Sequence, residues 1–267
     1  MFKHFLVIGL VIFGLVSCNK NNSESQEQGG FVHKQASIQR QACVGKDSTC
    51  AEVGMNFPQF SGEDRKLVSW LNLHVKEQLL MYLQWGEASP QTDSVEVAAE
   101  MFLEGFKDMA REYPATSLSW FLKTDGEVVF ENSEAISLMF TNSSFTGGAH
   151  PNYTVLFMNI DLEAPRLLKN DDLVLDQPAL LQKAKIAFRG FHEVDSQVSL
   201  KEDGRFFLDD GKFFLPAAMG YEGDEFVMVY NSYEIGPYSM GLTELRFPLE
   251  ELEGIVWMPG QKKDPTN

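Results

Sequence analysis

Ser117-Leu118-Ser119-Trp120-Phe121-Leu122-Lys123-Thr124-Asp125-Gly126-Glu127-Val128-Val129-Phe130-Glu131-Asn132 is the stretch where the hydrophobic period of this chain changes from about 3.6 to about 2. That change marks the passage from helices to strands. Residues 117–123 and 127–132 read as two strands about a Thr124-Asp125-Gly126 hairpin turn. Ile136, Leu138 and Phe140 alternate next, and a further strand is expected over 155–160 after a turn at Gly147-Gly148.

On the N-terminal side, Asn56-Phe57-Pro58 reads as an extended lead into Ser61-Gly62-Glu63-Asp64, a capping-box pattern. Leu67, Leu71, Val75, Leu79 and Leu83 then recur at helical spacing. A second helix is expected over 94–113, with Val95, Ala98, Phe102, Phe106 and Met109 on one face and Pro114 as its stop. On the C-terminal side a helix over 176–190 has Pro178 in its first turn and Leu181, Ala184 and Phe188 inward. Strands are expected over 205–208 and 212–215 about an Asp209-Asp210-Gly211 turn, over 225–235, and over 242–247, where Leu245 and Phe247 oppose Glu244 and Arg246. Helices segregated from hairpin-connected strands predict an α+β fold, with antiparallel sheets, helices packed on one face, and two closely associated halves.

The first residues carry an address. Lys3, an apolar run over 5–16 and then Leu15-Val16-Ser17-Cys18 form a bacterial lipoprotein signal, in which residues 1–17 are cleaved and Cys18 is lipidated. The apolar run is shorter than the roughly 20 residues needed to cross a bilayer. The expected location is the extracytoplasmic cell envelope, on the periplasmic or outer-membrane face, held to the membrane by the lipid on Cys18. Residues 18–50 read as a polar, flexible tether, 51–134 as the N-terminal half of the module, 135–252 as its C-terminal half, and 253–267 as a tail. Of the three cysteines, Cys43 and Cys50 remain. In an oxidising compartment such a pair most simply forms a disulfide, and an isolated C-x6-C is thin support for zinc.

The formal charge is −16, from 22 Lys and Arg against 38 Asp and Glu, and losing Lys3 with the signal makes it −17. An acidic surface of this size repels phosphate backbones and anionic head groups, so nucleic acid is excluded as a partner and a basic protein is favoured. Zincin, nucleophile-elbow, P-loop and dinucleotide-binding motifs are all missing, and His192-Glu193 lacks the second histidine of a zinc site. No metal and no cofactor are expected.

Two stretches stand out chemically. In Phe145-Thr146-Gly147-Gly148-Ala149-His150-Pro151-Asn152-Tyr153 the glycines permit positive φ and Pro151 holds His150 extended, so His150 and Asn152 sit either on a recognition turn or in a tight loop bonded to its own backbone. In Tyr230-Asn231-Ser232-Tyr233-Glu234-Ile235-Gly236-Pro237-Tyr238-Ser239-Met240-Gly241, a strand would place Tyr233 and Ile235 on one face and Glu234 on the other, with Tyr238 presented beyond the Pro237 break. Tyrosines about an acid suit a sugar or a basic side chain. They equally suit an aromatic cluster that closes the core.

Thr146-Gly147-Gly148-Ala149-His150 with the following strand to Asp161, and Tyr233-Glu234-Ile235-Gly236-Pro237-Tyr238 with Gly241, resemble an extracytoplasmic domain family of largely unknown function. It includes the outer domain of the lysozyme-sensing anti-sigma factor RsiV and a non-catalytic portion of the peptidoglycan deacetylase PdaC. The likeness extends upstream through Asn56-Phe57-Pro58 and the Leu67 to Leu83 pattern, covering about residues 50 to 252. It implies one α+β module containing both segments, and binding to peptidoglycan or to a lysozyme-like, basic muramidase. Gly147, Gly148, His150, Glu234, Pro237 and Tyr238 are the motif positions, with no catalytic role attached. The family more often has alanine where this chain has Gly236 and Ser239, which should loosen the turn. Neither a signalling transmembrane segment nor a deacetylase domain is expected. The rival expectation is a carbohydrate-active hydrolase using Glu234 with His150 or Asp161 as acid and base.

Overall fold

The computed structural model describes residues 30–45, 49–85, 92–113 and 118–260. Cys18, the signal segment before it and Pro114 lie outside the described residues. Among those described there are two sheets and the α+β organisation expected from the period change.

The first sheet has the order β1-β2-β3-β4-β5-β6, built from β1 Phe31–Val44, β2 Thr49–Gly62, β3 Trp120–Glu131, β4 Ala135–Phe145, β5 Asn152–Asp161 and β6 Arg166–Leu168. Its pairs are antiparallel except one: Ala51–Asn56 of β2 runs parallel to Trp120–Asp125 of β3. A parallel pair needs a long crossover. Helices α1 Arg65–Tyr82 and α2 Val95–Glu112 supply it and pack back on one face of the sheet. Asp64 caps α1 by accepting from the backbone of Lys66 and Leu67, and Ser94 caps α2 from Val97. Leu71, Val75 and Leu79 of α1 and Phe102 and Phe106 of α2 are buried against Val53, Met55, Leu122, Leu138 and Phe140. Met109, expected on that inward face, is 41% exposed at the far end of α2.

The opposite face of β4 and β5 meets the second sheet, β7 Ala218–Glu222, β8 Glu225–Tyr230 and β9 Thr243–Pro248, in the order β7-β8-β9. Val155 and Phe157 pack there on Ala218, Val227 and Val229. A buried polar relay ties the sheets: Ser137 donates to Asn159, whose amide donates to the carbonyl of Met219 at 2.9 Å. Helix α4 Gln177–Phe191, preceded by the short α3 Asn170–Leu173 and followed by α5 Leu200–Asp203, closes a second core. There Phe188 contacts Phe206, Phe213 and Tyr230.

Five local expectations are corrected. Residues 31–44 and 49–50 are not tether but strand residues of a β-hairpin, in which Cys43 stands opposite Cys50 and is disulfide-bonded to it. Half-buried polar side chains hid that strand, because β1 keeps only Phe31 and Ile38 buried. Thr124-Asp125-Gly126 makes no turn: β3 runs through it, paired with β4, and Gly126 leaves room for the Phe140 ring lying over that position. The reversal falls instead at 132–134, where Asn132 accepts from the backbone of Glu134 and Ala135. Residues 205–208 and 212–215 join no sheet, although their 209–211 turn is present with Asp210 and Gly211 at positive φ. Finally, β8 ends at Tyr230, and the first sheet continues across the expected 134/135 division as far as Leu168.

Candidate functional site

The loop after β8 carries the second motif segment. Tyr233, expected on a strand, sits at φ 69°, so the chain turns at that residue instead of continuing the ladder. The turn is held by two side chains of its own. Glu234 accepts from the backbone of Ala217 at 2.7 Å and of Asn231 at 2.8 Å, one bond to each oxygen. Asn231 pairs its amide with both backbone groups of Val155 on β5, receiving at 2.8 Å and donating at 3.0 Å. A side-chain amide here imitates the edge of a neighbouring strand.

The same loop turns Tyr233 and Tyr238 outward, and β5's leading turn delivers His150 to them. The His150 and Tyr238 rings stack with centroids 3.5 Å apart and 15° between planes. Nε2 of His150 lies 2.9 Å from the Tyr233 hydroxyl, and Nδ1 lies 3.0 Å from the Pro151 carbonyl. A carbonyl only accepts, so Nδ1 carries the proton. In the neutral ring Nε2 is then the acceptor and Tyr233 the donor. Tyr233 remains 55% exposed, which leaves a ledge of three rings open to solvent.

Gly147 and Gly148 stand at φ 109° and 107°, with empty space where a side chain would begin; the backbone alone requires glycine there. Pro237 leads a 3₁₀ turn over Tyr238–Met240, closed by Gly241 at φ 74°. At Gly236, Met240 folds over the position where a side chain would begin. Asn152 opens β5 opposite Ser144, is exposed, and joins the ring cluster through no hydrogen bond among the described residues.

The acids of the hydrolase alternative are each held by backbone donors. Both oxygens of Glu234 are taken by backbone donors. Asp161, 7% exposed, accepts from the backbone of Glu163 and Ala164 and faces Arg166, closing the β5–β6 turn. Among the described residues no three His, Cys, Asp or Glu side chains converge as a metal set.

Sequence reasoning missed two supporting residues. Asn231 falls inside the strand expected over 225–235, and its partner lies 76 residues away, so only its turn-forming chemistry points to it. Tyr230, beneath the loop, donates to the carbonyl of Phe214 at 2.6 Å; burial, then the neighbouring Glu234 charge, raises its hydroxyl far above the ordinary value and keeps it a donor.

Comparison with known proteins agrees with the resemblance drawn from the two motif segments. Residues 44–153 match the family model described as Deacetylase PdaC, and residues 168–250 match that described as Protein of unknown function (DUF3298). A solved DUF3298 family member from Bacteroides fragilis is 20% identical, with a TM-score of 0.70 over 87% of this chain and 96% of its own. Another, from Pseudomonas aeruginosa PAO1, is 19% identical, with a TM-score of 0.59 over 85% of this chain and 97% of its own. At such identities the likeness establishes the fold. No curated protein matches the chain. His150 falls within the first matched segment and Tyr233 and Tyr238 within the second, so the ring cluster needs both.

Proposed function

We propose that this chain, which carries a PdaC-type segment followed by a DUF3298 segment, is an extracytoplasmic, cell-wall-associated binding module that captures a lysozyme-like, basic wall-degrading enzyme. The observation that carries this reading is the His150–Tyr238 stack with Tyr233 beside it, an exposed ledge assembled from both segments. Aromatic faces attract cations, and the Tyr233 oxygen keeps a lone pair for a donor, so a Lys or Arg side chain fits this ledge. The formal charge of −16 favours encounter with a basic protein. Glu234 and Asp161, held by backbone donors, favour binding over acid–base hydrolysis.

Anchoring through a lipid on Cys18 belongs to the same proposal: the module is held at the envelope and acts by capture or protection there. Cys18→Ser should move the protein from the membrane to the soluble fraction. Capture is tested by pull-down of a basic muramidase at physiological salt, with isolated peptidoglycan as the second arm. Retention of the muramidase, lost in Tyr238→Ala, supports the reading. Retention of peptidoglycan alone would replace the enzyme partner by the wall glycan, and retention of neither would sink it.

A further inference from the structure

On the side of the second core where α3 and α4 begin, a groove of about 960 Å³ runs between those helices and residues 213–215. That is at the upper end of the roughly 300–1,000 Å³ typical of ligand sites. Leu181, Phe214 and Met219 line it, Leu175 stands 62% exposed in its wall, and its charged lining residues are Asp171 and Asp176. No Lys or Arg lines it.

Its second wall has the chemistry of a strand without a partner. Residues 212–216 belong to no helix or sheet, and Lys212 leads into them with extended backbone at φ −82° and ψ 121°. The backbone N–H groups of Phe213, Phe214 and Leu215 bond to none of the described residues, nor do the carbonyls of Phe213 and Leu215. The surrounding groups are occupied. Tyr230 takes the Phe214 carbonyl, Asn170 takes those of Pro216 and Ala217, and Glu234 takes the Ala217 N–H. What is left, among the described residues, is a short run of unpaired donors and acceptors beside a trough in which Leu181, Phe214 and Met219 alternate with the polar Asn170, Asp171, Asp176 and Gln177. An incoming strand satisfies such a run through its own backbone and places alternate side chains in the trough.

We infer that this groove is a second binding site, separate from the ring ledge, which takes an extended peptide segment by strand addition along 213–215. The peptide has alternating apolar residues that fill the trough against Leu181 and Met219, and flanking Lys or Arg residues that meet Asp171 and Asp176. The charge of the lining selects a cationic segment over an acidic one.

The test uses the full mature chain and three fluorescein-labelled heptapeptides. The first alternates Val and Thr between terminal lysines, the second has glutamates for the lysines, and the third carries N-methyl groups on alternate amides of the first. The lysine peptide is expected to bind and to slow amide exchange at Phe213 and Leu215. N-methylation, which removes two or more backbone bonds of about 1 kcal/mol each, should weaken it at least about tenfold. The glutamate peptide should bind more weakly, as should the lysine peptide to Asp171→Lys, an exposed substitution whose folding is checked by its melting temperature. Equal binding of the N-methylated peptide, or no change in exchange at 213–215, overturns the inference. So does protection of these amides in the free chain that disappears when residues 261–267 are removed, because the chain's own tail would then hold the groove. These readouts leave the ring ledge untouched, so they succeed or fail independently of muramidase capture.

Discussion

The two sides of the 231–241 loop are built from neighbouring residues and do opposite things. Facing inward, Asn231 and Glu234 spend their polar atoms on the backbone of Val155, Ala217 and Asn231 itself. Facing outward, Tyr233 and Tyr238 leave most of their contact surface for each other, for His150 and for solvent. The difference teaches how to tell a scaffold acid from a working one. A carboxylate whose two oxygens each accept a backbone N–H is part of the chain's hydrogen-bond accounting, however prominent it is in a motif. An aromatic cluster that closes no core and is braced from behind is free to meet a ligand.

Glu234→Ala gives the hardest test of that contrast. It strands the N–H groups of Ala217 and Asn231 and should cost about 2–3 kcal/mol, read as a lower urea midpoint with an unchanged slope. Glu234→Gln, which keeps one acceptor, should cost less. If Glu234→Ala were as stable as the parent, the scaffold role would be wrong and the acid would again be open to a catalytic reading. Asn231→Ala comes next. It unpairs both backbone groups of Val155 at a partly buried site, for about 1–2 kcal/mol, and should speed amide exchange at the start of β5.

Tyr238→Ala should move stability by no more than about 1 kcal/mol, since it removes one exposed stack. The same change should abolish muramidase retention, so stability and binding separate on the outward side and fall together on the inward one. A Tyr238→Ala variant as unstable as Glu234→Ala would show the ledge to be core after all.

The smallest effect is expected at His192. His192, beside Phe188 and Phe206 with Nε2 2.8 Å from the Thr243 hydroxyl, has its pKa lowered, first by burial and then by the Arg205 charge. The unfolded chain therefore binds a proton more readily than the folded one. The stability tied to neutral His192 is complete above the unfolded value of about 6.5 and is lost as pH falls through it toward the lower folded value. His192→Asn should flatten that part of the stability–pH curve between pH 7 and 5.

Much of the architecture was legible in local patterns. The 3.6-residue period of Leu67, Leu71, Val75 and Leu79 and the alternation at Leu245 and Phe247 report burial directly, because one face of each element must leave water. The legible part fails where neighbours distant in sequence decide. Gly126 looks like a turn residue until Phe140 is laid over it. Phe206-Phe207 and Phe213-Phe214 have strand composition, yet Phe206 and Phe213 are consumed by Phe188, and their backbones find no ladder. The β1 strand is polar enough to read as tether, and its partner β2 supplies the missing reason for it to be ordered.

By itself the sequence determined the fold class, the positions of the three long helices, the two motif segments and the acidic charge, all of which depend on periodicity, turn chemistry and composition within short windows. Only the tertiary structure decided that His150 stacks on Tyr238, 88 positions along the chain, and that both carboxylate oxygens of Glu234 accept from backbone donors. The physical reason is that a side chain's role is set by which partner satisfies its polar atoms or covers its rings. In this protein those partners come from another segment of the chain.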